Sequence, residues 1–346
     1  MIGEHTLELK KEGCARASQL INVEEGKILP VHLTLSSGCS VILQTDREGD
    51  ILYVDGKRVG VSPQKLELSY GIHAIRAERG EQHTEKELEV TETGGESIVT
   101  LGFGLLSQIR WSSSVTPKQK EILSRLVGNM VKVDGGCFQM GGTPEQGSDA
   151  YDSEKPVHKV TLSDYYIGRY EVRQSEWEAV MGSNPSHFKG DDLPVENVSW
   201  EDCHEFIGRL NALTGLNFKL PTEAQWEYAA RGGNLSKGYK YSGSNNLGEV
   251  GWYGSNSGDY THRVGEKQPN ELGLYDMSGN VWEWCEDWSG VYSVTPQRDP
   301  LGAAGGSSQV LRGSCWIGEA RYCRVSYRDG STPGNRFSIL GFRLVC

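Results

Sequence analysis

The side chains best suited to redox or metal chemistry in this chain are its eight cysteines. They lie at positions 14, 39, 137, 203, 285, 315, 323 and 346. No two of them form a Cys-x-x-Cys pair, and the eight histidines are equally scattered. Because zinc sites are built from closely spaced ligand pairs, the pattern argues against a zinc site. Disulfides remain open if the protein is exported, since sequence cannot assign their partners.

The composition near the C-terminus is also unusual. From Arg321 to Val345 there is no Lys, Glu, Gln, Met or Trp, although all five types occur upstream. Tyr and Phe are interleaved there with Ser, Gly and Asp. Aromatic residues give contact area at low entropic cost and small polar residues adapt, as in antibody binding loops. The segment is therefore typical of a binding face, with ordinary core packing as the alternative for its apolar members.

The charge balance excludes some partners. With 35 basic and 46 acidic residues the net charge is −11, which argues against nucleic acid or an anionic membrane, because both attract clustered Lys and Arg. No apolar run approaches the roughly 18 to 20 residues that span a bilayer. The first residues, MIGEHTLELKKEG, lack the apolar region of a signal peptide.

The elements that position these residues fall into at least two domains, as the length suggests. Period-two alternation from residue 39 to 104 predicts a small antiparallel β-sandwich, and Asp55-Gly56 predicts a type I′ hairpin turn. We expect residues 1–38 to add an N-terminal β segment. The module 39–104 resembles the PEGA family, small surface-associated modules of bacterial proteins. The matching positions are Asp55, Gly56, Lys57, Gly60, Ser62, Pro63 and Gly71.

Helical patterns begin after this module. The segment 117–127 carries one apolar stripe and predicts a helix within a linker at 105–128. Three further helices are predicted at 173–181, 199–214 and 222–231, the last with a Thr222-x-x-Gln225 capping box. Beyond Gly232 the sequence is rich in Gly, Asn, Ser, Trp and Tyr without a period. Long irregular loops are expected there.

Residues 129–346 resemble the formylglycine-generating-enzyme domain, a variant of the C-type lectin fold. The motifs that carry the resemblance are MVKVDGGCFQMG, YEVRQSEW, PVENVSW, LPTEAQWEYAARGG, GLYDMSGNVWEW and GFR, in that order. The resemblance implies an α+β head with much irregular structure, following the β-sandwich. We expect its tryptophans and ion pairs to be scaffold. The expected anchors are Trp200, Trp226, Trp282 and Trp284, and the expected pairs join Asp276, Glu283 or Asp287 to Arg312, Arg336 or Arg343.

The same resemblance bears on metals and catalysis. Family enzymes hold calcium where Asn280 and Glu283 lie here, although an Asn capping a turn beside an Arg-paired Glu is the alternative. They oxidise a substrate cysteine with two copper-binding cysteines. The second of these aligns with Cys323, but the first aligns with Gly318, and Cys315 lies three residues too early. Only half of the copper site is present, so catalysis is not expected.

The C-terminal segment carries a frame that consists of Arg312, Gly313, Trp316, Arg324, Val325, Arg328, Pro333, Asn335, Arg336, Gly341, Phe342, Arg343 and Leu344. This frame resembles that of the variable proteins of diversity-generating retroelements, of the treponemal type. In them, randomised adenines of Asn codons never yield Lys, Glu, Gln, Met or Trp. The variable region is expected at 312–345, although Glu319 cannot come from an Asn codon and Gly313-Ser314-Cys315 departs from the usual Gly-Gly-Ser. The predicted ligand-binding positions are Cys315, Ile317, Gly318, Arg321, Tyr322, Tyr327, Asp329, Gly330, Ser331, Phe337, Ser338 and Ile339, with Ser314 as an uncertain addition.

These observations predict a non-enzymatic ligand-binding protein, a surface receptor or adhesin with a β module as stalk. The partner would be a protein or other surface ligand, and the resemblance implies display on the cell surface or secretion. One alternative is an oxidase of the formylglycine-generating type, degenerate or active, that uses Cys323. A carbohydrate lectin is a third reading, but the sequence lacks the Glu-Pro-Asn type of sugar motif.

Overall fold

The computed structural model describes residues 2–9, 17–25, 27, 30–31, 38–45, 48–80, 82–91, 97–102 and 104–346. The chain divides into two compact units, Met1–Gln108 and Ile109–Cys346. Among the described residues, no helix has the length and apolar character needed to cross a membrane.

The first unit is built from strands. They are β1 Gly3–Leu9, β2 Ala17–Val23, β3 Gly38–Thr45, β4 Ile51–Val54, β5 Lys57–Val61, β6 Gln64–Ser69, β7 Gly71–Arg79, β8 Gln82–Val90 and β9 Ser97–Leu101. Strands β1 and β2 pair with each other, while the others form sheets of order β6-β3-β9 and β5-β4-β7-β8. Alternate apolar residues of these two sheets share one core, which includes Leu43, Leu52 and Ile75. Parts of the expected N-terminal β segment, among them residues 10–16, 28–29 and 32–37, lie outside the described residues.

The turn between β4 and β5 has the predicted form. Asp55 and Gly56 both have positive φ, at 49° and 76°. A type I′ turn needs positive φ at its two central residues, which Asp and Gly tolerate. The Asp55 carboxylate also accepts hydrogen bonds from the Ala74 amide at 2.9 Å and from His73 at 2.7 Å. The turn is therefore tied to strand β7.

Five helices lie in the second unit: α1 Pro117–Gly128, α2 Gln174–Met181, α3 Trp200–Thr214, α4 Glu223–Ala230 and the short α5 Leu247–Val250. The four longer ones confirm the helical patterns. Ser199 and Thr222 are N-caps with capping boxes, because each hydroxyl accepts from the backbone three residues ahead. Helix α1, expected within a linker, lies in the second unit and contacts α2, where the Gln119 side chain donates to the Ala179 carbonyl at 2.8 Å.

The second unit also contains short strands. They are β10 Met130–Val133, β11 Gly136–Met140, β12 His158–Leu162, β13 Tyr165–Gly168, β14 Trp282–Trp288, β15 Gln297–Arg298, β16 Gln309–Arg312, β17 Arg328–Ser331 and β18 Leu340–Gly341. They form sheets β10-β13, β11-β12-β15 and β17-β16-β14-β18. In the described stretch between α4 and β14, the helical elements are a 3-10 turn at Gly233–Leu235 and the short helix α5. The rest of this stretch is irregular, as its composition predicts.

Two tryptophans anchor the second unit. Trp226 of α4 and Trp284 of β14 are completely buried, and their indole nitrogens donate to the Glu283 carboxylate at 2.6 Å and to the Val198 carbonyl at 3.0 Å. Trp282 is buried as well, whereas Trp200 is half-buried. The central sheet is thus fixed to α4 on one side and to the start of α3 on the other.

Candidate functional site

Four buried arginines support the C-terminal segment. Three are joined to a glutamate through two parallel hydrogen bonds each: Arg324 to Glu154, Arg328 to Glu223, and Arg343 to Glu283. Arg312 binds Glu227 and three backbone carbonyls from Val325 to Tyr327. Such charge-assisted, two-pronged pairs fix geometry as well as energy. These four buried arginines therefore hold the backbone of the C-terminal segment in place from the protein interior.

The predicted ion pairs are correct in one case. Glu283 binds Arg343. Arg312 takes its carboxylate from α4 instead, and Arg336 pairs near the surface with Asp202. The remaining two acids, Asp276 and Asp287, accept backbone N–H groups of Gly265 and Glu223 at 2.7 and 2.8 Å. The predicted pairings of Arg312, Arg336, Asp276 and Asp287 are therefore wrong. The carboxylate that reaches a buried guanidinium is decided by the packing of elements that are distant in sequence, and the sequence does not show this packing.

Eleven of the predicted ligand-binding positions are exposed or half-buried. Ile317 and Phe337 are 51% and 52% exposed, and Arg321 and Asp329 are exposed too. The half-buried predicted positions are Gly318, Tyr322, Tyr327, Gly330, Ser331, Ser338 and Ile339. We name these eleven positions, the predicted set without Cys315, the candidate face.

Two predicted positions do not behave as free surface sites. Cys315 is 2% exposed, so its side chain belongs to the interior and cannot contact a ligand. Gly318 is only half-buried, but a Cβ atom there would lie 2.1 Å from the Ser314 hydroxyl and 3.1 Å from the Cys315 carbonyl oxygen. A larger residue at position 318 requires its neighbours to move. Ser314, the uncertain addition, is buried with a φ of 68°.

Aromatic rings cluster at one end of the candidate face. The Tyr327 ring lies 4.9 Å from that of Tyr322 and 5.4 Å from that of Tyr151, and the Arg321 guanidinium lies 4.8 Å from the centre of the Tyr322 ring. Burial and nearby negative groups raise the pKa of Tyr327, so its hydroxyl stays neutral. Sequence reasoning missed Tyr151, whose only link to this segment is spatial.

A second group of rings lies near the other end. The Trp316 indole donates to the Ser338 carbonyl at 3.0 Å, and its ring meets Phe188 edge-on at 5.4 Å. The Phe337 carbonyl accepts from the Asn197 amide at 3.0 Å. These contacts fix the backbone that carries Phe337 while its side chain points into solvent. Phe188 was also missed by sequence reasoning.

Cys323 is poorly suited to copper chemistry. Its side chain is completely buried, and burial raises the pKa of the thiol to about 12. The thiol donates to the Glu319 carbonyl at 3.7 Å. The position of the partner cysteine is taken by Gly318, so one of the two thiolates that such a copper site needs is missing. These residues do not fit a two-cysteine copper site.

Asn280 and Glu283 do not fit a calcium site. The Asn280 carbonyl oxygen accepts from the His262 amide, and its NH₂ group donates to Glu171 at 2.7 Å. Both Glu283 oxygens accept from Arg343, which already supplies the positive charge. Within the part of the chain that the structure describes, no group of three or more His, Cys, Asp and Glu is arranged for a metal ion. Glu283 is thus paired with Arg343, and Asn280 has a φ of 63° and is completely buried.

A family model and several known proteins match this chain, and the residues matched by the family model lie within the second unit. A family model described as the sulfatase-modifying factor enzyme 1-like domain matches residues 116–346. The chain is 34% identical over 249 residues to the chaperone protein LppX of Paenibacillus barcinonensis, covering 58% of this chain and 82% of that protein. It is 30% identical over 289 residues to the formylglycine-generating enzyme of Streptomyces coelicolor, covering 63% and 89%.

Similar proteins of solved structure match a comparable share of this chain. Treponema denticola variable protein 1 is 38% identical with a TM-score of 0.57, covering 63% of this chain and 94% of that one. PvdO from Pseudomonas aeruginosa is 28% identical with a TM-score of 0.54, covering 62% and 93%. These matches support the C-type lectin fold of the formylglycine-generating-enzyme type for the second unit.

Proposed function

Because the chain belongs to the sulfatase-modifying factor enzyme 1-like domain family, we propose that it uses this fold to bind a ligand on the candidate face and not to catalyse a reaction. The family includes formylglycine-generating enzymes, so the fold by itself decides nothing. The decisive observation is that buried arginines alternate along one segment with residues that are exposed or half-buried. Arg312, Arg324 and Arg343 are completely buried, whereas Ile317 and Phe337 are about half exposed.

The chemistry of the candidate face supports binding. Ile317 and Phe337 place two exposed apolar side chains on this face, where they can contact a ligand. Rigid tyrosines and an arginine are the residue types that dominate binding energy in interfaces. The scaffold below, held by glutamate–arginine pairs, can keep its shape while the surface changes. We infer that this face is diversified, as in the variable proteins that the segment resembles.

The first unit would hold the ligand-binding second unit on display at the cell surface. Its two sheets around one core are consistent with a β-sandwich of the PEGA type, and we propose that it acts as a stalk. Cell-surface display of a receptor or adhesin is part of the same proposal. The ligand would be a protein or another surface molecule.

A substitution library on the full chain tests the proposal. In the first library, ten positions of the candidate face, all except Gly318, are each varied among Tyr, Ser, Phe, Ile, Asp and Arg. In a matched library, the same six residue types replace the buried frame residues Arg312, Arg324, Arg328 and Arg343. We expect most members of the first library and few of the second to resist proteolysis. Selection of the first library on an immobilised protein such as lysozyme should enrich binders. Loss of folding in both libraries, or the absence of binders, would contradict the proposal.

The competing oxidase has its own test. The purified chain, loaded with copper and given a peptide with a sulfatase-type cysteine, should give no aldehyde, because position 318 has no thiol. Cys323→Ser provides the control. Aldehyde formation that disappears in this variant would establish the enzyme instead.

A further inference from the structure

A buried amide without a partner lies in a cleft on another part of the second unit. Gln309 of β16 is completely buried, and neither its side-chain oxygen nor its nitrogen has a hydrogen-bond partner among the described residues. Leaving both atoms unsatisfied costs stability, so such groups are rare and call for an explanation. Gln309 lines a cleft of about 790 Å³. The cleft is large enough for a side chain from another molecule.

The sheet register shows where the Gln309 side chain lies. Across the antiparallel pair β14–β16, Gln309 is opposite Trp288 and Leu311 is opposite Trp284. Directly opposed residues present their side chains on the same face of a sheet. That face is covered by the start of α3, because the Trp284 indole donates to the Val198 carbonyl and the Trp200 indole donates to that of Cys285. The amide thus faces the cleft between β14, β16 and α3.

The walls of the cleft combine aromatic surface with a polar edge. Trp200 and Trp288 are half-buried and line it, and Leu301 at its rim is 74% exposed. His204 of α3 and Glu286 of β14 face each other at 3.1 Å. Neither His204 Nε2 nor Glu286 Oε2 has a hydrogen-bond partner among the described residues, so these two polar atoms line the cleft beside the unpartnered Gln309 amide.

The amide itself defines the ligand chemistry. A glutamine side chain presents one acceptor oxygen and an adjacent N–H donor in one plane. A second primary carboxamide matches it with two antiparallel hydrogen bonds. A carboxylate offers no donor, and a trans N-substituted amide has its N–H and C=O on opposite sides. We propose that this cleft binds a primary carboxamide, the Asn or Gln side chain of a peptide, with its aliphatic stem against the Trp200 and Trp288 rings.

This site does not depend on the proposed function of the candidate face. It gives the family scaffold a second recognition site with its own chemistry. The closing experiment therefore uses ligands and variants that leave the candidate face unchanged.

Small amides provide the direct test. The full ¹⁵N-labelled chain is titrated with propionamide, N-methylpropionamide and N,N-dimethylpropionamide, and the indole N–H signals of Trp200 and Trp288 and the NH₂ signals of Gln309 are followed. Ligands of this size bind at millimolar concentration, so the titration extends to about 100 mM. We expect saturable shifts with propionamide and at least tenfold weaker responses with the two methylated amides. Equal responses to all three, or none to propionamide, would overturn the proposal.

Two variants separate the amide from the cleft. Gln309→Leu should lose the propionamide response while its melting temperature stays unchanged or rises, because no internal hydrogen bond is removed. Gln268→Leu alters an exposed glutamine that does not line the cleft and should leave the response intact. A response that persists in Gln309→Leu would contradict the assignment. Should Gln309→Leu fail to fold, the contrast among the three amides in the unmodified chain still decides the question.

A peptide pair then identifies the source of the carboxamide. Ac-Ala-Gln-Ala-NHMe should shift the same signals, and Ac-Ala-Glu-Ala-NHMe should not. Binding of propionamide without binding of the Gln peptide would refute a peptide ligand.

Discussion

Arg324 shows how a single residue supports the candidate face. Its guanidinium binds both oxygens of Glu154 and the Asp149 carbonyl, and it lies 5.8 Å from the centre of the Tyr327 ring. Ser326 also donates to Glu154. All three polar groups, Arg324, Glu154 and Ser326, are completely buried. The surface tyrosine is thereby coupled to an ion pair that solvent does not reach.

Removing this arginine should therefore be costly. In Arg324→Leu the Glu154 carboxylate stays buried without its cation, and breaking a buried pair in this way costs about 3 to 5 kcal/mol. The matched control, Arg336→Leu, removes an exposed pair with Asp202, for which about 0 to 1 kcal/mol is expected. Urea unfolding of both variants measures the difference. Similar small losses would show that the pair is not part of the scaffold.

Substitution of exposed residues of the candidate face should change the stability of the protein very little. Ile317→Ser and Phe337→Ser are expected to change the free energy of unfolding by at most about 0.5 kcal/mol, as surface substitutions do. Trp284→Ala creates a cavity in the core and should cost about 3 to 5 kcal/mol. Thermal melts of the three variants can be compared directly. If the first two match the tryptophan variant, these residues are core and the candidate face is wrongly placed.

At the scale of elements, short sequence patterns are sufficient to predict the longer helices and one hairpin turn. Capping residues at Ser199 and Thr222 and the Asp55-Gly56 turn act within a few residues of the chain, so the sequence predicts them. The partner of Arg324 lies 170 positions away, and Tyr151 reaches the candidate face only through packing. No periodicity encodes such contacts. The same holds for Gln309, whose missing partner becomes visible only in three dimensions.

The β4–β5 turn supplies a pH-dependent element. The ring nitrogens of His73 lie 2.7 Å from the Asp55 carboxylate and 2.8 Å from the Ser69 carbonyl, so both must be protonated to donate. The hydrogen bond to Asp55, followed by that to Ser69, raises the pKa of His73. The stabilisation is complete below the unfolded pKa of about 6.5 and is lost as the pH rises through the higher folded pKa.

Hydrogen exchange of the Ala74 amide, which donates to Asp55, measures this effect. Protection, corrected for the intrinsic pH dependence of exchange, should fall between neutral and alkaline pH in the full chain. His73→Gln should remove that dependence. A flat profile in the unmodified chain would mean that the imidazolium does not stabilise the turn.

At the scale of the whole molecule, the two units have different tasks in this account. The second unit has the family fold, and in its C-terminal segment buried arginines alternate with residues that are exposed or half-buried. The first unit has its own core and would carry the display function. The general fold and most of the face positions follow from motifs in the sequence. The burial of Cys315 does not, because nothing in the sequence around a single cysteine indicates whether its side chain points to the interior or to the surface.

The central claim, a binding face diversified on a fixed scaffold, is tested most directly in the encoding DNA. The codons for residues 312–345 are compared with any second copy beside a reverse-transcriptase gene. We predict a near-identical copy that differs almost entirely at adenines, with the differences falling in the codons of the candidate face. A copy whose differences are spread over all four bases, or over the codons of Arg312, Arg324 and Arg343, would contradict the account, as would the absence of any copy.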